Sequence, residues 1–296
     1  MSEQGKWLFR GHRIHWVSSR PRQPDPHQPA LLLIHGFGAS TTHWRYNIPA
    51  LARHYEVHAF DLLGFGRSAK PPEEPYGGTL WQEQTLSYVG ERIGRPTVFI
   101  GNSIGGYVAL AAAATAASDC AGVVLLNAAG PFIEADDPRS RSWGAIARKS
   151  IAGALLNSYP VQRLLFENLR RPRSIRSTLH QVYLDHTNVD DALIRSIREP
   201  ALDPGAFLVF RKAFGVPGGE PLDTLLSRLD VPLLLLWGIR DPWINAVARR
   251  RQFQQAAPRA SEVVLEAGHC PHDEVPEQVN RSLLDWLATL PAVAGA

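Results

Sequence analysis

The chain has 296 residues, of which 45% are hydrophobic and 20% charged, so it can bury one substantial core and also carry an inserted subdomain. This composition argues against intrinsic disorder. The formal net charge of +3 is too small to imply nucleic acid binding, and we expect no nucleic acid partner.

The first predicted elements are two short alternating strands around Gly11, within residues 6–18, followed by a proline-rich loop over residues 20–28. Six continuous apolar runs come next, as is typical of parallel strands that are covered on both faces. They occupy residues 30–35, 55–61, 97–101, 122–127, 231–238 and 262–267. Helical stretches separate most of these runs. The sequence therefore predicts an α/β fold with a mostly parallel eight-stranded sheet flanked by helices.

One interval between these runs is about a hundred residues long, where a crossover needs only about a dozen. We interpret it as an inserted helical cap over residues 133–216, which divides the core into residues 1–132 and 217–296. Residues 139–176 contain nine cations and a single acid, with apolar residues interleaved. Amphipathic helices of this kind could lie on a bilayer with anionic head groups, the docking residues being Trp143, Arg170, Arg171 and Arg173. Alternatively, the apolar residues pack the cap onto the core and the arginines form a solvated face.

A sharp turn is predicted at Gly101-Asn102-Ser103-Ile104-Gly105, between an apolar run and a small-residue helical run over residues 106–114. A strand before the G-x-S-x-G pattern and a helix after it are the context of a nucleophile elbow. The two glycines remove side chains that would clash, and the helix N-terminus brings partial positive charge beneath the serine hydroxyl. Ser103 is thus a candidate nucleophile; the alternative is a tight turn with an idle serine.

A serine nucleophile needs a base, usually a histidine that is held by a carboxylate. Asp241 follows the run 231–238, and His269 follows the last run. The chain order Ser103, Asp241, His269 is the one found in α/β-hydrolases.

Two alternatives for these partners stay open. Asp241 precedes Pro242 and could merely begin a turn, and His272 with Asp273 could be the working pair while His269 is structural. Asn127 also ends a strand, but its neutral amide cannot stabilise an imidazolium as a carboxylate does.

The tetrahedral intermediate needs two backbone donors aimed at its oxyanion. The segment His35-Gly36-Phe37-Gly38 follows the first long run, so the amide of Phe37 can supply one donor and that of Ile104 the other. No metal site is indicated. Cys120 and Cys270 lie outside any C-x-x-C motif, which disfavours a disulfide framework or structural zinc and favours a reducing compartment.

The N-terminal residues lack the layout of a signal peptide, and no stretch reaches the roughly 18 apolar residues of a membrane span. We therefore expect a cytoplasmic protein that is soluble as made and that contacts a membrane peripherally.

Several segments resemble the α/β-hydrolase superfamily and, more narrowly, the chlorophyll dephytylase and pheophytinase group of plants and cyanobacteria. They are residues 33–40, 43–49, 61–68, 101–107, 187–191, 241–243 and 268–277. The run Gly-His-Cys-Pro-His-Asp-Glu from Gly268 is the most specific of them. The plant members begin with a chloroplast transit peptide that is lacking here. The chain therefore resembles a bacterial member of the group, more narrowly a cyanobacterial one, or a member from which the leading segment has been trimmed.

This resemblance implies hydrolysis of the phytyl ester of chlorophyll to chlorophyllide and phytol, with no diffusible cofactor. The implied partners are a phytylated pigment and, peripherally, the thylakoid membrane. Substrate contacts are expected from Gly36, Asn102, Phe132 and Trp243.

Three other functions stay open. The chain could be specific for pheophytin, or it could cleave small esters or carbon–carbon bonds, because ring-cleavage-product hydrolases share the H-G-F-G and G-N-S-x-G-G motifs. A ligand receptor built on the same fold is the non-enzymatic alternative. Haloalkane dehalogenases and epoxide hydrolases are disfavoured because they need an aspartate where Ser103 stands.

Overall fold

In the computed structural model, residues 2–133, 158–213 and 219–293 are described, and they contain one eight-stranded sheet of order β1-β2-β4-β3-β5-β6-β7-β8. The strands are β1 (Ser2–Phe9), β2 (His12–Ser19), β3 (Ala30–Ile34), β4 (Val57–Phe60), β5 (Thr97–Asn102), β6 (Cys120–Leu126), β7 (Leu233–Gly238) and β8 (Ser261–Leu265). Strand β2 is antiparallel to both β1 and β4, and all other neighbours are parallel. The predicted mostly parallel sheet is confirmed.

The helices of the described residues cover both faces of this sheet. They are α1 (Asn47–Leu51), α2 (Gly78–Tyr88), α3 (Ile104–Thr115), α4 (Tyr159–Leu169), α5 (Pro172–Val182), α6 (Asp191–Arg198), α7 (Ala206–Ala213), α8 (Leu222–Leu226), α9 (Ala246–Ala256), α10 (Pro271–Glu274) and α11 (Pro276–Leu287). Short 3₁₀ helices span Thr41–Trp44 and Pro200–Leu202.

The continuous apolar run of β3 explains how two cores form around one sheet. Successive strand residues point to opposite faces. Leu32 and Ile34 accordingly join the core that contains α2 and α3, whereas Leu31 and Leu33 join the core that contains α1 and α11. All four side chains are fully buried, which contributes about 1.5–3 kcal/mol each to stability.

Strand β8 departs from the prediction that every apolar run is covered on both faces. Val264 is 43% exposed, and the N-terminal part of the strand is only partly buried. The physical reason is position, because β8 is the last strand of the sheet and has a single neighbour, β7.

The connection between β6 and β7 carries helices α4 to α7, which form two small apolar clusters separate from the sheet cores. One is centred on α5 and α6 and includes Cys270, and the other joins Phe166 of α4 to α7. Residues 134–157 and 214–218, beside both predicted cap boundaries, lie outside the described residues, as does Trp143. The division at residues 133 and 216 therefore stays a prediction.

The arginines proposed for membrane docking differ in their surroundings. Arg171 and Arg173 are exposed. Arg170 pairs with Glu167 one turn back and donates to the carbonyl oxygen of Ala201 over 3.3 Å, which makes it a weaker candidate for docking than the other two, and its docking role stays a prediction. Within the described ranges, no helix has the length and apolar character needed to span a bilayer.

Candidate active site

Ser103 lies at the turn between β5 and α3, with φ 57° and ψ −120°. This conformation is strained for a residue with a side chain. The turn leaves no room for neighbours, because a Cβ on Gly101 would lie 2.1 Å from the carbonyl oxygen of Gly105, and one on Gly105 would lie 2.2 Å from that of Ile34. The predicted elbow is therefore the observed local geometry, with Ser103 partly exposed at the carboxyl edge of the sheet.

Asp241 and His269 form a hydrogen-bonded pair at the same edge. His269 Nδ1 lies 2.6 Å from Asp241 Oδ2, and both side chains are buried. The other carboxylate oxygen accepts the backbone N–H groups of Trp243 and Ile244 at 2.8 and 3.0 Å. Asp241 thus does shape a turn, as the alternative interpretation held, and it orients the imidazole at the same time.

The electrostatics of this pair favour an ionised carboxylate. Burial acts to raise the pKa of Asp241, but the hydrogen bond and charge of His269, with the donors from Ile244 and Asn127, bring the pKa below its ordinary value. A carboxylate that stays ionised can stabilise the imidazolium that forms when a histidine accepts a proton.

Asn127 orients the acid rather than replacing it. Its Nδ2 donates to Asp241 Oδ2 at 2.7 Å, and its Oδ1 accepts the N–H of Gly238, the last residue of β7, also at 2.7 Å. The backbone of Asn127 has φ 42°, which the amide contacts on both sides maintain. The sequence showed the amide at a strand end, but it did not show this contact.

Asn102 connects the nucleophile turn to the histidine loop. Its Nδ2 donates to the carbonyl oxygens of His269 at 2.9 Å and Leu126 at 3.1 Å, and the residue is 1% exposed. The expectation that Asn102 contacts substrate is therefore wrong: its amide is directed into the protein. In the described contacts, Ser103 Oγ has no hydrogen bond to His269. Hydrogen bonds between catalytic groups are often long or poorly aligned in structures without substrate.

The loop that follows β3 approaches the nucleophile closely. A Cβ on Gly36 would lie 3.2 Å from the Cβ of Ser103, so glycine allows this approach. His35 fixes the loop, because its Nδ1 donates to the Gly36 carbonyl at 2.7 Å and its Nε2 accepts the N–H of Leu62 at 3.0 Å. Burial lowers the pKa of His35, in keeping with a neutral ring.

Phe37 and Ile104 occupy the positions from which the sequence predicts oxyanion donors. Phe37 directly follows Gly36, and its 38% exposed ring packs on Phe65 at 5.3 Å. Ile104 is the first residue of α3, where backbone N–H groups lack partners within the helix.

The two remaining expected substrate contacts differ. Trp243 is 60% exposed, and its ring centre lies 5.0 Å from that of His269, so it stands at the mouth of the site. Phe132 packs edge-to-face on Phe253 at 5.2 Å, with the Arg249 guanidinium over its ring. These contacts place Phe132 against α9 and do not favour the predicted contact with substrate.

His272 and Asp273 do not pair with each other. His272 is fully buried, burial lowers its pKa well below the ordinary value, and neither ring nitrogen has a hydrogen-bond partner in the described structure. Asp273 binds Arg45 at 2.8 and 3.2 Å and accepts the hydroxyl of Tyr183 at 2.9 Å. This geometry favours His269 over His272 as the base.

Asp273 and Glu274 attach the inserted helical region to the histidine loop. Glu274 accepts the N–H groups of Leu184 and Asp185 at 2.9 Å and that of Gly268 at 2.8 Å. Arg45 adds a contact from the other side, donating to the carbonyl oxygen of Asn188 at 2.7 Å. Sequence reasoning noted these motifs only as points of resemblance and missed that they meet in one network.

A small apolar cleft of about 70 Å³ opens beside Phe37. Its walls come from the loop after β4 and from the inserted helices, and they include Phe65, Phe166, Val209 and Phe210. The described part of the chain contains no group of three His, Cys, Asp or Glu side chains that could hold a metal ion.

Comparison with known proteins gives consistent matches. The sequence profile described as the alpha/beta hydrolase family matches residues 31–282. Chloroplastic pheophytinase of Arabidopsis thaliana is 31% identical over 94% of this chain, which spans 64% of that protein's length. A (lyso)-N-acylphosphatidylethanolamine lipase of Mus musculus is 27% identical over 82% of this chain and 73% of its own.

Solved structures extend the comparison. A bacterial membrane phospholipase A that is a virulence factor superposes with a TM-score of 0.74 at 25% identity, over 97% of this chain and 87% of its own. The epoxide hydrolase CorEH superposes with a TM-score of 0.78 at 20% identity, over 97% of this chain and 99% of its own, and shares the fold.

Proposed function

The chain belongs to the alpha/beta hydrolase family, and we propose that it is a serine ester hydrolase with Ser103 as nucleophile, His269 as base and Asp241 as the acid that orients the base. The observation that carries this proposal is the 2.6 Å contact between His269 and a buried, ionised Asp241 at the sheet edge where Ser103 is partly exposed.

The proposed reaction has two halves. His269 Nε2 takes the hydroxyl proton as Ser103 Oγ attacks the ester carbonyl, and the resulting imidazolium gives that proton to the departing alcohol oxygen. The acyl group stays on Ser103 until water, activated by the same histidine, releases it as a carboxylic acid. Asp241 stabilises the imidazolium in both halves.

The negative charge on the tetrahedral intermediate needs donors that are already in place. We assign them to the backbone N–H groups of Phe37 and Ile104, on either side of Ser103. Removal of one such donor in other serine hydrolases costs about 10²–10³ in kcat.

For substrate, we propose the phytyl ester of a chlorophyll-type pigment, cleaved to chlorophyllide and phytol. The support is the similarity to a pheophytinase over 94% of the chain. The apolar walls of the small cleft beside Phe37 would suit contact with part of an isoprenoid chain. The magnesium-bearing pigment and its magnesium-free form, pheophytin, are both candidates within this proposal.

A second candidate substrate is a lipid ester. The similarities to an N-acylphosphatidylethanolamine lipase and to a membrane phospholipase A support it. Both candidates are esters of long apolar chains, and both bring the enzyme to a membrane. For a pigment substrate this would be the thylakoid, with the exposed Arg171 and Arg173 as proposed cap contacts.

The deciding experiment offers the purified chain chlorophyll a, pheophytin a, a lysophospholipid and p-nitrophenyl butyrate in detergent. Solvent partition followed by absorbance measures chlorophyllide or pheophorbide. We expect pigment hydrolysis that is lost in Ser103→Ala. Turnover of p-nitrophenyl butyrate without pigment turnover would overturn the pigment proposal and leave the hydrolase proposal standing.

A further inference from the structure

A basic cleft lies beside the antiparallel strands β1 and β2, outside the candidate active site. It is a shallow, open cleft of about 510 Å³, and its lining includes Lys6, Arg13, Arg67 and Lys70. Its size lies within the range of about 300–1,000 Å³ that is typical of ligand sites. The loop after β4 forms one wall, because the N–H of Ala69 donates to the carbonyl oxygen of Arg13 over 2.9 Å.

The charge of this cleft is not balanced by its surroundings. Lys6, Arg13 and Arg67 are exposed, and among the described residues none of the three has a carboxylate partner. Lys70 differs, since its ammonium group pairs with Asp203 at 2.8 Å.

The acids near the rim are already engaged. Asp203, which itself lines the cleft, pairs with Lys70, and Glu74 pairs with Arg10 and lies 3.2 Å from His12. Glu73 lies 3.9 Å from the same imidazole. Lys6, Arg13 and Arg67 therefore line one cleft in which the described carboxylates pair with other cations, an arrangement that favours anions such as phosphate.

The position of the cleft connects it to the candidate active site. Strand β4 runs parallel to β5, so the loop that carries Arg67 and Lys70 lies at the same carboxyl edge of the sheet as Ser103. The apolar cleft is lined by Phe37, Gly66 and Lys70, among others. Lys70 lines the basic cleft as well, so the two clefts meet there.

An exposed apolar side chain lies on the same face as two of the cations. Leu8 is 62% exposed and stands opposite Arg13 in the β1–β2 pair, two residues from Lys6. Residues that are opposite or two apart in such a pair share one face of the sheet. On its other side Leu8 borders a cleft with Glu83, which pairs with Arg10, and Glu91, which accepts the indole N–H of Trp7 at 2.9 Å. Cations that lie beside an exposed leucine, next to an apolar cleft, match the interface of an anionic bilayer better than a soluble anion.

We propose that this basic cleft binds the anionic head group of a membrane lipid and so places the carboxyl edge of the sheet, with the mouth of the apolar cleft, against the bilayer. The head-group phosphate contacts Lys6, Arg13 and Arg67, and Leu8 inserts among the neighbouring lipids. This proposal does not rest on the proposed function, because vesicle binding and ester hydrolysis are measured separately and can fail separately.

The test is co-sedimentation of the full chain with vesicles of phosphatidylcholine alone and with about one third phosphatidylglycerol. We expect binding only to the anionic vesicles and its release by salt. Because each cation near such a surface contributes about a fivefold gain in binding, the variant K6Q/R13Q/R67Q should bind about 100-fold more weakly, and each single variant about fivefold.

A matched control removes the same charge elsewhere. Three exposed arginines lie away from the basic cleft: Arg251 in α9, Arg259 just before β8 and Arg281 in α11. We expect R251Q/R259Q/R281Q to bind within about twofold of wild type. Circular dichroism melts check that the variants fold. If the triple variant does not fold, the salt-dependent release of wild type and the binding of the single variants still test the proposal.

Three outcomes would overturn the proposal. The first is equal loss in the cleft and control variants, which would indicate non-specific charge attraction. The second is retention by K6Q/R13Q/R67Q with loss in R171Q/R173Q, which would move the contact to the cap. The third is calorimetric binding of inorganic phosphate to wild type but not to K6Q/R13Q/R67Q, without vesicle binding, which would assign the cleft to a free anion.

Discussion

The backbone N–H of His269 donates a hydrogen bond to the carbonyl oxygen of Val182 over 2.8 Å. Val182 is the last residue of α5, so the inserted helices directly fix the loop that carries the candidate base. A Cβ on Gly268 would lie 2.0 Å from that same oxygen. We expect Gly268→Ala to push the loop from the helix and to lower kcat for p-nitrophenyl butyrate by about 10²-fold, as small displacements of a catalytic group do.

Gly90 supplies the control for this substitution. It is exposed, and a Cβ there would meet nothing within 4 Å. Gly90→Ala should leave kcat and the melting temperature close to wild type. Unchanged kinetics in Gly268→Ala would mean that the contact with Val182 does not position the base.

The candidate triad predicts a specific order of losses. Ser103→Ala should lower kcat by about 10⁶-fold, and Asp241→Asn by about 10⁴-fold, because an asparagine holds the imidazole in the wrong tautomer. Ser177→Ala, on the exposed face of α5, is the control and should retain full activity. Hydrolysis by Ser103→Ala within a few-fold of wild type would contradict the assignment of the nucleophile.

Asn102 separates positioning from substrate binding. Asn102→Ala removes the donor to the His269 carbonyl at 2.9 Å but no group that faces the cleft. We expect kcat to fall about tenfold with KM nearly unchanged, together with a loss of about 1–2 kcal/mol in unfolding free energy. A higher KM with unchanged kcat, measured on the same ester, would return Asn102 to the substrate contacts.

The sequence predicted those parts of the site that depend on residues close together in the chain. The strand, the two close-packed glycines and the helix around Ser103 lie within a few residues of one another, so their spacing alone indicates the turn. Asp241 and His269 could be placed because parallel strands end at one edge.

The parts that sequence missed depend on contacts between distant residues. Arg45 and Asp273 are 228 positions apart, and neither carries a local signal for the other. The direction of the Asn102 amide was misjudged for the same reason, since only the folded chain brings the His269 carbonyl beside it. The exposure of β8 follows from strand order, which an apolar run does not encode.

Arg45 tests the network that joins the inserted helices to the histidine loop. Its guanidinium is the counter-charge of Asp273, whose side chain is fully buried. Removal of one partner from such a pair leaves an uncompensated buried charge, so Arg45→Ala should lower the free energy of unfolding by about 3 kcal/mol. Arg53→Ala, at an exposed arginine nearby, should change it by less than about 0.5 kcal/mol. Equal urea midpoints for the two variants would show that the contacts of Arg45 do not stabilise the folded protein.

The lowered pKa of Glu56 determines how its contribution to the free energy of unfolding changes at low pH. The hydrogen bond from His58 is the main cause that lowers the pKa of Glu56 to about 2, with Arg95 adding to it against the effect of burial. A carboxyl with a lowered folded pKa stabilises the protein above its unfolded pKa, near 4.5, and loses that contribution as pH falls toward 2. Glu56→Gln should therefore be less stable than wild type at neutral pH, by at most about 3 kcal/mol. The two proteins should converge in urea unfolding as the pH falls from about 5 to about 2, whereas a difference that is the same at every pH would show that the charge of Glu56 contributes nothing.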